Sequence, residues 1–339
     1  MLINIAFSLS PQSLDFEFYN GFASHYIDIR SPLIRDYCIV VREYPLKTFQ
    51  EAVRTQDFTL SAELKLDSRS TAASIVDQAR ILASMVDAIQ ITDNPGGRVH
   101  ISPLVVAGIL LNQNIDPVLQ MTCRDRNRIA LRSDLLGAAE LGVTSLLLMR
   151  GKKFPRDFPS KATPVYDWGA RRLIAAAQAL QTDPDNLDPP HFFIGSAATA
   201  FNPAQDWRPK KMAAKADAGV KFIQTQLCFD IELIKRYVAG LVAAKLLERV
   251  NVIIGIAPIP SADVGEWLAS NLRGTVVPKA LIKRLRGASD PEREGIDICA
   301  EMLQELREVP GVSGANLTSL GDAESVAKSI EISGVRETV

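Results

Sequence analysis

No two of the four cysteines, Cys38, Cys123, Cys228 and Cys299, stand close together, so neither a CxxC pair nor a disulfide framework is written into the chain. Such cysteine usage suits a reducing cytosol. The three histidines, His25, His100 and His191, do not cluster, and no metal-ligand spacing is present, which counts against metal hydrolysis. No basic run disturbs the balance of 38 basic against 39 acidic residues, so the field that would draw nucleic acid is missing. No stretch reaches the roughly 18 apolar residues of a membrane span, and the opening MLINIAFSLSPQSLDFEF lacks a charged start followed by a long apolar run. A glycine-rich phosphate loop and the GxGxxG pattern are also missing, which argues against a Rossmann cofactor site. The expectation is a cytoplasmic protein with no nucleic acid, membrane or metal partner. No internal repeat or low-complexity segment appears.

What is there is rhythm. From Phe58 onward, short β-branched and apolar runs alternate with helical patterns about every 30 residues. Strands are predicted at 58–64, 86–93, 116–122, 143–149, 191–197, 221–226, 251–257 and 311–319. Helical patterns lie between them at 70–85, 127–142, 207–219, 230–250 and 262–272, with Gly142 and Gly219 as helix C-caps just before a strand. Eight β/α units fit a closed (β/α)8 TIM barrel better than an open sheet, and 339 residues suit such a barrel with insertions. The long stretch after the seventh helix adds helices before the last strand. Residues 1–57 are irregular, with Phe16, Phe18, Tyr19, Phe22 and Tyr26 among turn residues, a strand at 35–44 and a short helix at 47–55. They read as an N-terminal extension that covers the barrel floor, forms a subunit contact or takes part in the site, and residues 58–339 read as the catalytic barrel.

In such a barrel the chemistry sits at the carboxyl ends of the strands. The polar turn Gln120-Met121-Thr122-Cys123-Arg124-Asp125-Arg126-Asn127-Arg128, between an apolar strand and a helix, therefore reads as the rim of an active site. Strand-end candidates are Glu63, Thr92, Asp93, Asn94, Gln120, Thr122, Arg124, Asp125, Arg150, Lys152, Ser196, Gln226, Thr318 and Ser319. Glu63 stands out, because a carboxylate in an apolar strand is costly to bury unless it is paired or serves as an acid with a raised pKa. A salt bridge and an acid both fit it. Asp125 fits an N-cap of the helix starting at Asn127 or a ligand contact. The arginines of the turn suit an anionic ligand or a solvated charged surface. Gln226 can both donate and accept, as recognition of a heterocycle requires. Asp230 reads as a helix cap.

The runs QMTCRDRNRIALRSDLLGAAELGV, LLLMRG, AGVKFIQTQLCFD and NVIIGIAPI, with VDAIQITDN and VPGVSGAN, closely resemble the methylenetetrahydrofolate reductase family. The likeness is strongest to the branch beside corrinoid- and folate-dependent one-carbon pathways, and it covers essentially everything from about Phe58. It implies a (β/α)8 barrel holding FAD, in which reduced flavin passes a hydride to a folate-bound methylene group to give 5-methyltetrahydrofolate. By position, Glu63 corresponds to the general acid that opens the folate's five-membered ring. Gln226 corresponds to the glutamine that contacts pterin or nicotinamide, and Thr92, Gln120, Arg150, Gly151, Tyr166 and Lys215 fall on flavin-lining positions. The sequence departs from the family where Gly151 is followed by Lys152-Lys153 instead of aspartate, and where Arg208 and Lys211 replace two polar positions that help hold the flavin. With Lys152 facing the substrate, the pterin either meets other groups, with Arg124 and Asp125 as candidates, or is one other than plain tetrahydrofolate; the alternative is that Lys152 turns out to solvent and Asp93 or Asp157 takes the vacant place. A reductase-like, non-catalytic or flavin-free pterin-binding subunit is the competing reading. The donor, NADH, NADPH or a partner protein, and the oligomeric state are not disclosed, so a homo-oligomer and a partner protein both stay open.

Overall fold

The computed structural model describes residues 5–10, 13–18, 47–154, 162–185, 189–204 and 206–336. The chain divides into two compact units, Met1–Pro45 and Leu46–Val339. In the first, β1 (Ile5–Ser10) and β2 (Ser13–Phe18) form an antiparallel hairpin with Ser10 opposite Ser13. The strand expected at 35–44 and the aromatics Tyr19, Phe22 and Tyr26 lie outside the described residues.

In the second unit eight parallel strands close a barrel. They are β3 (Thr59–Glu63), β4 (Ala88–Ile91), β5 (Pro117–Thr122), β6 (Ser145–Met149), β7 (Phe193–Ala198), β8 (Phe222–Leu227), β9 (Asn251–Ile256) and β10 (Gly314–Thr318), with β10 pairing back onto β3. Each falls on a run expected to be a strand. The helices of this unit are α1 (Phe49–Thr55), α2 (Ala72–Ala83), α3 (Pro103–Asn112), α4 (Arg128–Glu140), α5 (Ala170–Gln181), α6 (Lys210–Asp217), α7 (Ile231–Ala243), α8 (Ala262–Asn271), α9 (Lys279–Gly287), α10 (Pro291–Arg307) and α11 (Ala323–Ser333). The barrel is therefore the expected (β/α)8 fold, with α9 and α10 as the additional helices before the last strand.

Local chemistry fixes the ends of these helices. Asn127, not Asp125, caps α4, its side chain accepting from the Ile129 and Ala130 N–H groups at 3.1 and 3.0 Å, because Asp125 is engaged elsewhere. Asp230 caps α7 by accepting from Leu233 N–H at 2.9 Å. Gly142 and Gly219 lie one residue beyond the C-cap with φ of 81° and 114°. The next residues, Val143 and Val220, bond back to Ala138 and Lys215 at 2.9 and 3.1 Å, which is the Schellman arrangement. The pattern expected to be helical to residue 250 stops at Ala243 for the same reason: Lys245 takes φ 56°, and Leu246 N–H bonds to Leu241 O at 3.0 Å. Leu246 is thereby turned into the core.

Because side chains alternate along a strand, one set fills the space between sheet and helices and the other fills the barrel. At the amino ends of the strands the inner set is apolar: Ala88, Val118, Leu147, Phe193, Phe222 and Ile253. Phe49 of α1 plugs this floor, its ring 5.4 Å from Phe222 and 6.0 Å from Phe193. Its N–H donates to Asp116 Oδ2 at 2.7 Å. The helix expected at 47–55, grouped with the extension on sequence grounds, thus belongs to the barrel unit and covers its floor. Toward the carboxyl ends the inner set becomes polar, and there the site begins.

Candidate active site

A cavity of about 1340 Å³ opens at the carboxyl ends of the strands. A pocket for one small ligand is about 300–1,000 Å³, so this one has room for two. Glu63, Thr92, Gln120, Thr122, Arg124, Arg150, Gly151, Lys152, Lys215 and Gln226 all line it, as do Asp93, Ser196, Thr318 and Ser319. Residues spread over more than 250 positions of sequence thus share one wall because all but Lys215 lie in the carboxyl-terminal half of a strand or just beyond it.

Glu63 ends β3 on the floor of the cavity. Gln120 Nε2 donates to its Oε1 at 3.0 Å, and the side chains of Thr318 and Asn316 hydrogen-bond it as well. Ser319 Oγ holds its backbone carbonyl at 2.8 Å. Of the two readings open for this residue, the salt bridge fails, since no ion pair to Glu63 occurs among the described residues. Burial pushes the carboxyl above the ordinary glutamate value, and the surrounding hydrogen bonds only partly oppose it.

The charged groups of the β5 turn are largely satisfied by each other. Arg124, 2% exposed, donates through Nε and Nη2 to the two oxygens of Asp125, both at 2.7 Å, and through Nη2 to Asn94 O at 2.7 Å. Its guanidinium lies over the Phe154 ring at 4.7 Å. Asp125 and Asn94 do not line the cavity; they hold Arg124. Asp93 accepts from Thr122 N–H at 2.7 Å and pairs with Arg126, which also reaches Asp134 at 2.7 Å. Asp93 is therefore a buried brace between β4 and β5, not a carboxylate free to replace the one missing after Gly151. Asp157 lies outside the described residues.

Lys152 does not turn away from the cavity. Its Nζ donates to Gln226 Oε1 at 2.9 Å, so the Gln226 amide keeps its NH₂ for other partners, and burial lowers the lysine pKa. Gly151 supplies the bend that brings Lys152 there: its φ is 83°, and a Cβ would stand 3.0 Å from Arg124 Cβ and 3.1 Å from Thr122 Cβ. Tyr166 lies behind this wall instead of in it, its hydroxyl donating to Gly151 O at 3.4 Å and its ring 4.0 Å from the Arg150 guanidinium. Lys215 on α6 donates to Ala197 O at 2.7 Å, with its pKa lowered by burial. Arg208 and Lys211 are exposed and not part of the cavity wall.

Sequence reasoning missed an inner polar layer directly beneath: Ser61, Gln90, Gln224 and Asn316, all buried. The signal was there as alternation, since each stands two residues before a candidate at a strand end (Glu63, Thr92, Gln226, Thr318). It also missed Arg98, Arg171 and Arg172, which add positive charge to the wall, and Trp267, Asn271 and Thr275 on the far side. Helices supply Arg171, Arg172, Trp267 and Asn271, and loops supply Arg98 and Thr275; polar and charged residues are so common on both that no pattern marks them. His100, likewise unassigned, accepts from Asn94 N–H at 3.1 Å through Nε2 and donates from Nδ1 to Ile101 O at 2.6 Å, shaping the β4 loop. Among the described residues no helix is long and apolar enough to cross a membrane.

Residues 48–334 match the family model described as methylenetetrahydrofolate reductase. A Caenorhabditis elegans protein named probable methylenetetrahydrofolate reductase (NADPH) is 24% identical over 244 residues, 69% of this chain and 35% of that one. The chain thus matches about a third of the length of that relative.

Proposed function

Because the chain belongs to the methylenetetrahydrofolate reductase family, we propose that it reduces 5,10-methylenetetrahydrofolate, or a close pterin analogue, to the 5-methyl form, with FAD as cofactor and NADH or NADPH as electron donor. The observation that carries this reading is Glu63: a partly buried carboxyl on the cavity floor, contacted by neutral donors and raised by burial. The methylene carbon of the substrate bridges two nitrogens. Breaking one of those C–N bonds needs a proton at the departing nitrogen and leaves an iminium that can accept hydride, and a carboxylic acid with a raised pKa is suited to supplying that proton.

The wall of the cavity fits FAD by its charge. Lys215, Arg150, Arg171 and Arg172 give this side of the wall the positive charge that a pyrophosphate requires. When bound, FAD supplies the hydride. Gln226 and Lys152 then meet the pterin, with the Gln226 amide turned by Lys152 so that it donates. The far wall of Trp267 and Leu272 shelters the second ligand from water. The scattered, buried cysteines Cys123, Cys228 and Cys299 suit work in a reducing compartment such as the cytosol.

The purified protein should show a flavin absorption band. Under anaerobic conditions that band should bleach with NADH or NADPH and return on adding methylenetetrahydrofolate. A preparation that takes up no flavin yet binds the folate would select the flavin-free pterin-binding subunit instead.

A further inference from the structure

A closed ring of hydrogen bonds runs inside the barrel, with Glu63 as one of its members. The chemistry of each bond fixes the direction of the next. An ionised carboxylate only accepts, so Gln120 turns Nε2 toward Glu63 Oε1 at 3.0 Å, and the same nitrogen donates to Gln90 Oε1 at 3.2 Å. Gln90 then donates through Nε2 to Ser61 Oγ at 3.1 Å. The Ser61 hydroxyl donates to Asn316 Oδ1 at 2.9 Å, which leaves the Asn316 NH₂ for its hydrogen bond to Glu63. Gln224 locks Gln90 from across the barrel by a reciprocal amide pair, donating from Nε2 to Gln90 Oε1 at 3.2 Å and accepting in return.

We propose that Gln90, with Ser61, is a positioning residue that fixes the amides of Gln120 and Asn316 as donors to Glu63, so that the acid's proton finds an acceptor only on the cavity side. The inference rests on the reading of Glu63 as the acid. Gln90 is fully buried and touches neither ligand space nor a charge; its whole polar capacity goes into the ring. The charged groups on the surrounding strand ends are occupied elsewhere. Lys65 donates to Gly321 O at 2.7 Å, Lys215 to Ala197 O at 2.7 Å and Lys152 to Gln226 at 2.9 Å. Asp93 is held by Arg126 and Arg124 by Asp125. The groups acting on Glu63 are Gln120, Thr318 and Asn316, and two of those three are oriented by the ring.

If the ring is cut, Gln120 or Asn316 can turn its carbonyl to Glu63, the ionised form loses a donor, and the carboxyl becomes a weaker acid. The test uses Gln90→Met, which keeps length without polarity, and Ser61→Ala, which removes one atom. The infrared carbonyl band of protonated Glu63, identified by its loss in Glu63→Gln, is titrated without folate, and a thermal melt checks folding. Both variants should titrate higher by about one pH unit, the scale of one hydrogen bond to a charged group. The alkaline fall of the folate half-reaction should move the same way. Titration at the wild-type position in the folded variants would overturn the proposal, and Ser61→Ala decides alone if Gln90→Met does not fold. A shifted titration with an unmoved rate profile upholds the ring while removing Glu63 as the acid, so the two failures are distinguishable.

Discussion

A carboxyl raised by burial leaves a mark on stability as well as on rate. Folded Glu63 holds its proton to a higher pH than the unfolded chain, whose glutamate titrates near 4.5. Between these values the native state binds more protons, so its stability falls as pH rises through that window. Glu63→Gln removes the penalty and should melt higher than wild type at neutral pH, with the difference vanishing below about pH 4. The same substitution should cost the folate half-reaction about 10²–10⁴-fold, the usual worth of a general acid, and a near wild-type rate would take Glu63 out of the mechanism. Lys152 is the second informative residue. Its ammonium occupies Gln226 Oε1, so the pair presents donors only. Lys152→Asp would free that oxygen and offer an acceptor to a pterin amino group; methylenetetrahydrofolate should bind about tenfold tighter, in line with 1–3 kcal/mol per buried polar contact. No change in affinity or rate would mean that position 152 does not face the ligand.

At the scale of the element, α1 shows how little helix is needed to close a barrel. It has seven residues, too few to stand alone in water, and depends on Phe49, which is fully buried against Phe193 and Phe222. Phe49→Ala should cost about 3–5 kcal/mol, measurable as a lowered urea midpoint, while flavin uptake per folded molecule stays unchanged because the floor is at the opposite end from the cavity. The short helix was readable in KTFQEAVRT, with Thr48 and Glu51 forming a capping box. Its partner was not, since Phe193 and Phe222 are far away in sequence. The end of α7 was hidden for a related reason: nothing in LVAAKLLERV forbids helix, and only the pull of Leu246 into the core makes the left-handed turn at Lys245 worth its strain.

For the molecule as a whole, Leu46–Val339 forms one compact unit. A chain beginning at Leu46 should therefore keep a cooperative melt and the far-UV spectrum of a (β/α)8 protein; loss of the melt would show that the first 45 residues are needed for the barrel itself. What the sequence by itself determined is what local period and local chemistry control. The eight strands, the helices between them, Asp230 as a cap, the glycines before strands and the candidates at strand ends follow from alternation, from 3.6-residue spacing and from backbone groups that need partners. It also isolated Glu63, because a carboxylate among apolar neighbours is conspicuous in one dimension. Only the tertiary structure showed what surrounds Glu63, because that depends on whether a cation from another strand comes within reach, and among the described residues the groups that do come are Gln120, Asn316 and Thr318. It likewise turned Arg124 and Asp125 toward each other, set Asp93 on Arg126, and joined Gln90 to Gln224 across 134 positions of chain. The reason is geometric. A closed barrel brings the inward residues of every strand to a common axis, so the partner of each polar group is chosen by the stagger of the strands around that axis and not by its neighbours in sequence.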